Sequence, residues 1–279
     1  MNPAPLMPAE RPELARHAAY SPQQFLAQLE SIGATRYHSL HPFHVLLHNG
    51  HLGHGEVQAW ALNRYYYQYS IPRKDLTLMA RIPDLTLRRA WRTRVIDHEG
   101  DLDGTGGIAR YLQLCERLGL DLDYVISLEG LLPATRFAVD AYIGFVESRS
   151  VLEAVASSLT ELYAPAIHQA RIAGLSRHYE WADDYALAYF TKRVVEAQRD
   201  VEFGRAWVLE HAVTRSQQEA VLEAVRFKTD VLWSQLDALY SSYVEPGFVP
   251  PGAFLPADRE PARGWETFKA VASGVMNEC

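Results

Sequence analysis

Arg64, Tyr67, Gln68, Lys74 and Asp75 fall on one face of a helix drawn through Trp60-Ala-Leu-Asn-Arg-Tyr-Tyr-Tyr-Gln-Tyr-Ser-Ile-Pro-Arg-Lys-Asp75. Ordinary surface helices bury apolar residues and turn charges outward. Here the flanking Trp60, Leu62, Leu76, Leu78 and Met79 are apolar enough to place the helix in the core, so its cations and phenols point inward. An interior cation without a partner costs on the order of several kcal/mol. A protein keeps such groups inside chiefly to meet an anionic ligand.

A second constellation lies in Ser157-Ser-Leu-Thr-Glu161-Leu-Tyr-Ala-Pro-Ala-Ile-His168-Gln-Ala-Arg171, where Glu161, His168 and Arg171 share a helical face and Pro165 is expected to kink it. Tyr189 and Arg193 stand one helical turn apart, and Lys228 follows Phe227 in an apolar helix running to Trp233. Singly, each has a bland reading: a solvated charge for Arg193, a core phenol for Tyr189, a snorkelling stem for Lys228. Several cations on otherwise apolar helices shift the balance toward a site. His98 ends a helix at Asp97-His98-Glu99-Gly100, where last-turn carbonyls favour the protonated imidazole, as a simple terminal charge or as a catalytic group.

His38, His41, His44, His48, His51 and His54 cluster, and the His44 and His48 pair has the spacing to share a metal. Helical di-iron proteins use Glu-x-x-His pairs, and this chain has no Glu-x-x-His or Asp-x-x-His. The expectation is no metal site, with mostly solvated histidines around a loop and one or two turned inward; His38 stands apart from that expectation. Cys115 has no nearby histidine or cation-rich loop and is expected to be a buried, inert thiol.

The elements that must position these groups are helical. Ser21-Pro-Gln-Gln24, Ser150-Val-Leu-Glu153 and Ser216-Gln-Gln-Glu219 have the capping-box pattern, and Asp84 is a further N-cap. Helices are expected near 22–33, 41–49, 54–82 with a bend at Pro72, 84–98, 106–118, 133–147, 150–173, 181–211 and 215–244. Short breaks at 50–55, 99–107 and 174–178 suit packed helices of one domain, and no stretch alternates at period two. The organisation is a flexible N-terminal segment over 1–20, a helical domain over 21–245, and a Pro- and Gly-rich tail over 246–279 that is draped on the body or left loose.

With 279 residues and 48% hydrophobic content the chain can bury a large core. A net charge of −7 argues against a general binder of nucleic acid or acidic membranes. Cys115 and Cys279 supply no disulfide framework and no thiolate cluster, which suits the cytoplasm. No leader-like segment and no run of about 18 apolar residues occurs, so no membrane span is expected.

The run Asn63-Arg-Tyr-Tyr-Tyr-Gln68 with Ile71-Pro-Arg-Lys74-Asp75, then Asp97-His98-Glu99-Gly100, Arg136-Phe-Ala-Val-Asp-Ala-Tyr142, Ser158-Leu-Thr-Glu161-Leu-Tyr-Ala-Pro-Ala-Ile-His168 and Arg199-Asp-Val-Glu202 resembles the pyrroloquinoline-quinone synthase family, PqqC, across 21–245. The resemblance implies an all-α, compact single-domain bundle of the haem-oxygenase and TenA type with about seven core helices, usually a homodimer. It implies the last step of pyrroloquinoline quinone (PQQ) synthesis. There the tricarboxylic precursor AHQQ undergoes oxidative ring closure and O2 is reduced to H2O2, with no metal or organic redox cofactor. PQQ-pathway proteins are the implied partners. The family pattern carries onto His38, Arg64, Tyr67, Gln68, Lys74, Tyr142, Glu161, Arg171 and Lys228 as substrate contacts, and onto His98, His168, Tyr189 and Arg193 as proton-transfer and oxygen-handling groups. The tail is too short for the small PqqD carrier domain that some relatives carry fused there. Rival readings are a TenA-type thiaminase with a cysteine nucleophile, a di-iron oxidase of the same architecture, and a non-catalytic carrier of PQQ or its precursor.

Overall fold

The computed structural model describes residues 5–102 and 104–259. Cys279 and the rest of the tail beyond 259 lie outside the described residues. Eleven α-helices run in chain order: α1 Pro22–Arg36, α2 Pro42–His48, α3 His54–Met79, α4 Leu85–Glu99, α5 Gly107–Arg117, α6 Leu122–Ser127, α7 Pro133–Ser148, α8 Val151–Ala156, α9 Ala164–His178, α10 Asp184–His211 and α11 Arg215–Tyr243. Two 3-10 segments, His38–Leu40 and Ser157–Tyr163, join α1 to α2 and α8 to α9. Among the described residues there is no strand, only an isolated bridge between Gly130 and Ala253. No described helix is long and apolar enough to cross a membrane.

The caps explain where helices begin. Ser21 with Gln24 and Ser150 with Glu153 form complete capping boxes, and the Asp84 side chain accepts from Leu87 N. The third expected box is displaced. Thr214 caps α11 with Gln217, while Ser216 is buried and its Oγ accepts from Arg11 N at 3.0 Å. α3 continues through Pro72 as one helix and stops at Met79. α6 is an addition to the expected set: it is short, started by Asp121 and ended by Leu128 at φ 61, too brief for apolar periodicity to reveal.

The expected helix 150–173 is divided. Pro165 sits in the first turn of α9, where its missing N–H costs nothing, so it starts a helix and does not kink one. Glu161 therefore belongs to the 3-10 segment and not to the face of His168 and Arg171. α9 then runs through the expected break at Gly174. A Cβ there would lie 2.5 Å from His48 O, so this glycine is needed for close approach of α9 to α2.

α3 lies at the centre, packed on α4, α5 and α7; α10 packs on α5 and α9, and α11 on α1 and α7. Trp60, Tyr111, Tyr243, Phe25, Phe43 and Phe190 are the largest fully buried aromatic groups among the described residues. Residues 5–20, expected to be flexible, are instead tied to the bundle: Pro5 O accepts from Val151 N at 3.0 Å, and Tyr20 N donates to Gln218 Oε1 at 2.7 Å. Residues 246–259 are draped on the body. Phe254 N donates to Gly130 O at 2.8 Å, and Asp258 Oδ2 accepts from Gly55 N at 3.1 Å at the start of α3.

Candidate active site

The inward face of α3 opens onto a cleft of about 480 Å³, counted with the open space at its mouth. His38, Arg64, Tyr67, His98, Glu161, His168, Arg171, Tyr189 and Arg193 line it, together with Tyr37, Ile71, Thr160 and Leu232. Nine side chains singled out in the sequence thus meet on one surface, from α3, α4, α9, α10 and both 3-10 segments.

Gln68, Lys74, Tyr142 and Lys228 stand directly behind that wall. Tyr189 donates to Gln68 Oε1 at 2.6 Å, and Lys228 Nζ donates to Tyr67 Oη at 2.6 Å. Lys228 Nζ also lies 3.8 Å from the centre of the Tyr142 ring. Lys74 Nζ pairs with Asp75 at 2.5 Å and bonds Ser158 Oγ at 3.2 Å.

The two buried lysines differ in their electrostatics. Burial alone would depress the Lys74 ammonium, but Asp75 reverses that and raises it above its ordinary value. Lys228 has no ion-pair partner among the described residues, and burial with Arg64 and Lys74 drives it well below its ordinary value.

Beneath the cleft lies an ion-pair network whose hub, Arg94, sequence reasoning missed. Arg94, 4% exposed, forks onto Glu161 at 2.6 and 2.8 Å and reaches Asp200 at 3.1 Å and Asp75 at 3.6 Å. Arg193 approaches Glu161 at 3.5 Å, Glu196 at 3.4 Å and Asp200 at 3.7 Å. Burial would raise the Glu161 carboxyl, yet Arg94 overrides it and holds the group well below the usual carboxylate range. Glu161 is thus an anion already paired. The sequence had singled out Asp75, Glu161 and Arg193 and, within the quoted Arg199-Asp-Val-Glu202 run, Asp200; Arg94, which joins them, stands in a helix too rich in arginine for one to be distinguished.

His98 and His168 are both held toward the neutral form. Burial first, then Arg193, takes His98 down to about 3, against the expectation that its helix terminus would favour the protonated form. Burial and Arg171 take His168 well below its ordinary value. His98 Nδ1 bonds Arg94 O at 3.0 Å; a carbonyl only accepts, so this nitrogen carries the proton and Nε2 holds a free lone pair. That Nε2 is buried without a hydrogen-bond partner among the described residues.

In the histidine cluster His38, set apart in the sequence, is buried, and His41 and His44 are the two others turned inward, while His51 and His54 are exposed. Among the described residues no group of histidine, cysteine and carboxylate side chains has a metal-holding arrangement. Cys115 is fully buried outside the cleft lining, and burial pushes its thiol up to about 12, which does not suit a nucleophile.

Residues 26–238 match the model of the TENA/THI-4/PQQC family. The chain belongs to this family. Among its TENA/THI-4/PQQC relatives, the pyrroloquinoline-quinone synthase of Granulibacter bethesdensis is 58% identical over 85% of this chain and 92% of its own. That of Rhizobium meliloti is 59% identical over 83% of this chain and 91% of its own. A bifunctional coenzyme PQQ synthesis protein C/D from Methylorubrum extorquens is 54% identical over 85% of this chain and 64% of its own. Solved structures agree in fold. A domain with a heme oxygenase-like fold from Shewanella denitrificans superposes with a TM-score of 0.63 at 13% identity, covering 84% of this chain and 96% of its own. A TenA homologue from P. horikoshii gives 0.63 at 14% identity, covering 78% of this chain and 97% of its own.

Proposed function

We propose that the chain is a pyrroloquinoline-quinone synthase, closing the ring of AHQQ and oxidising it to PQQ while O2 is reduced to H2O2. One observation carries the reading. Among the described residues Arg64, Arg171 and Lys228 have no carboxylate partner, and all three stand at or directly behind the wall of one cleft. A substrate with three carboxylates matches three open cations, and each charge-assisted hydrogen bond is worth roughly 1.5–3 kcal/mol. The relatives named for this reaction, at 58% and 59% identity, support the same assignment.

The substrate's charge also prepares the bases. Arg171 and Arg193 help to hold His168 and His98 neutral, so carboxylates that offset those cations raise the basicity of both rings. His98 Nε2, unpartnered and at the cleft wall, is positioned to take a ring proton from bound substrate. The electron-rich anion that results would itself reduce O2, so the reaction needs no metal or organic redox cofactor. Tyr189 and Arg193 would then meet negative charge as it develops on oxygen. His38, Tyr67, Gln68, Lys74, Tyr142 and Glu161 would shape the pocket around the substrate, Glu161 by fixing Arg193 with its ionised carboxylate.

The enzyme would act as a homodimer in the cytoplasm alongside other PQQ-pathway proteins. Phe137, 79% exposed on α7, with Leu76 and Tyr69 on the adjacent α3, supports association of two copies.

Oxygen uptake by metal-stripped protein mixed with AHQQ, followed with quinone absorbance, tests the reading. PQQ and peroxide should appear together. No uptake with ligand bound would favour a carrier or a missing metal, and restoration by iron would choose the latter.

A further inference from the structure

His44 on α2 is 2% exposed and touches two groups at the cleft wall. Its Nδ1 lies 2.9 Å from His38 O and its Nε2 lies 3.2 Å from Arg171 Nη2. A guanidinium has no acceptor, so His44 Nε2 must offer its lone pair, and the proton therefore sits on Nδ1 and is donated to the His38 carbonyl. The ring is stacked on His48 at 5.4 Å and 12°, and it lies 4.8 Å from the His38 ring. Arg171 also lies over the faces of Trp60 at 5.5 Å and Phe190 at 5.2 Å, which fix its plane poorly.

We propose that His44 is a positioning residue for anion binding, aiming the Arg171 guanidinium into the cleft while holding the His38 segment through its other nitrogen. A neutral acceptor is suited to this task. Aspartate or glutamate would orient Arg171 as firmly but would also neutralise it, removing the charge the ligand is to meet. Gly174 makes the contact possible, because its missing side chain lets α9 approach His48 and brings Arg171 within reach of His44. His44, the inward histidine that touches Arg171, thus has a role that calls for no metal. The inference rests on the reading that the cleft takes a carboxylate-rich ligand.

A double-mutant cycle tests it, with PQQ binding as the readout. His44→Phe keeps the ring and its stack on His48 but loses both polar atoms, and it should weaken PQQ binding about tenfold in the otherwise native chain. In an Arg171→Met background the same change should weaken binding less than about twofold, since the group it positions is gone. His44→Gln, whose amide oxygen reaches the Nε2 position, should recover most of the affinity. Equal weakening in both backgrounds, or none in either, would overturn the assignment while leaving the proposed function standing. A native chain that binds no PQQ would overturn both. If His44→Phe does not fold, the nitrogen shifts of His44 in the native chain decide the matter: a proton on Nδ1 alone is expected, and a proton on Nε2 would sink the proposal.

Discussion

Lys74 and Lys228 are both buried ammonium groups on apolar helices, and what stands beside each decides what it does. Lys74 is paired with Asp75 at 2.5 Å, so Lys74→Met leaves a buried carboxylate short of a partner. We expect that change to cost about 3–5 kcal/mol in a denaturant melt. Lys228→Met removes a cation that burial already opposes. Its unfolding free energy should match or exceed that of the native chain, while PQQ binding falls about tenfold or more. Unchanged binding would remove Lys228 from the substrate contacts. For the chemistry, His98→Ala should lower kcat about a hundredfold or more with ligand affinity nearly kept, as expected for loss of a general base. Tyr189→Phe, which loses the 2.6 Å bond to Gln68, should likewise slow oxidation at nearly constant affinity. Normal turnover in both variants would exclude them from the mechanism.

At the scale of elements, the junction of α2 with α9 is the most sensitive contact. Gly174 lies inside α9, where alanine would be favoured by helix propensity by about 1 kcal/mol. The packing contact at 2.5 Å from His48 O is expected to outweigh this. Gly174→Ala should lower the melting temperature and weaken PQQ binding together, because the displaced α9 carries both His168 and Arg171. A variant that is more stable and binds normally would show that α2 can yield. The helical character of α9 was legible in its sequence, but its start and end were not. Pro165 has the same composition signal whether it opens a helix or bends one, and Gly174 reads as a break until the neighbour it accommodates is known.

At the scale of the whole molecule, acid is the expected weakness. His38, His44, His48, His98 and His168 are all held below their ordinary value, with burial the first cause for each. An unfolded chain regains the ordinary value of 6.5 and binds protons the folded one refuses. Stability is therefore full above about pH 6.5 and falls as pH drops below it. For His98, held at about 3, the loss at pH 5 is about 2 kcal/mol. Melting temperature should thus drop steeply between about pH 7 and 5, and His98→Gln should make that slope shallower. A flat profile would mean these rings are solvated.

The sequence by itself determined the helical class, the inward polar face of α3 and the family, because each rests on spacing within one segment or on collinear motifs. Only the tertiary structure decided which buried cations are paired and which are open, which histidine nitrogens carry protons, and that Glu161 is held by an arginine 67 residues away. The physical reason is that charge state follows burial and neighbours, and the neighbours come from helices far apart in the chain.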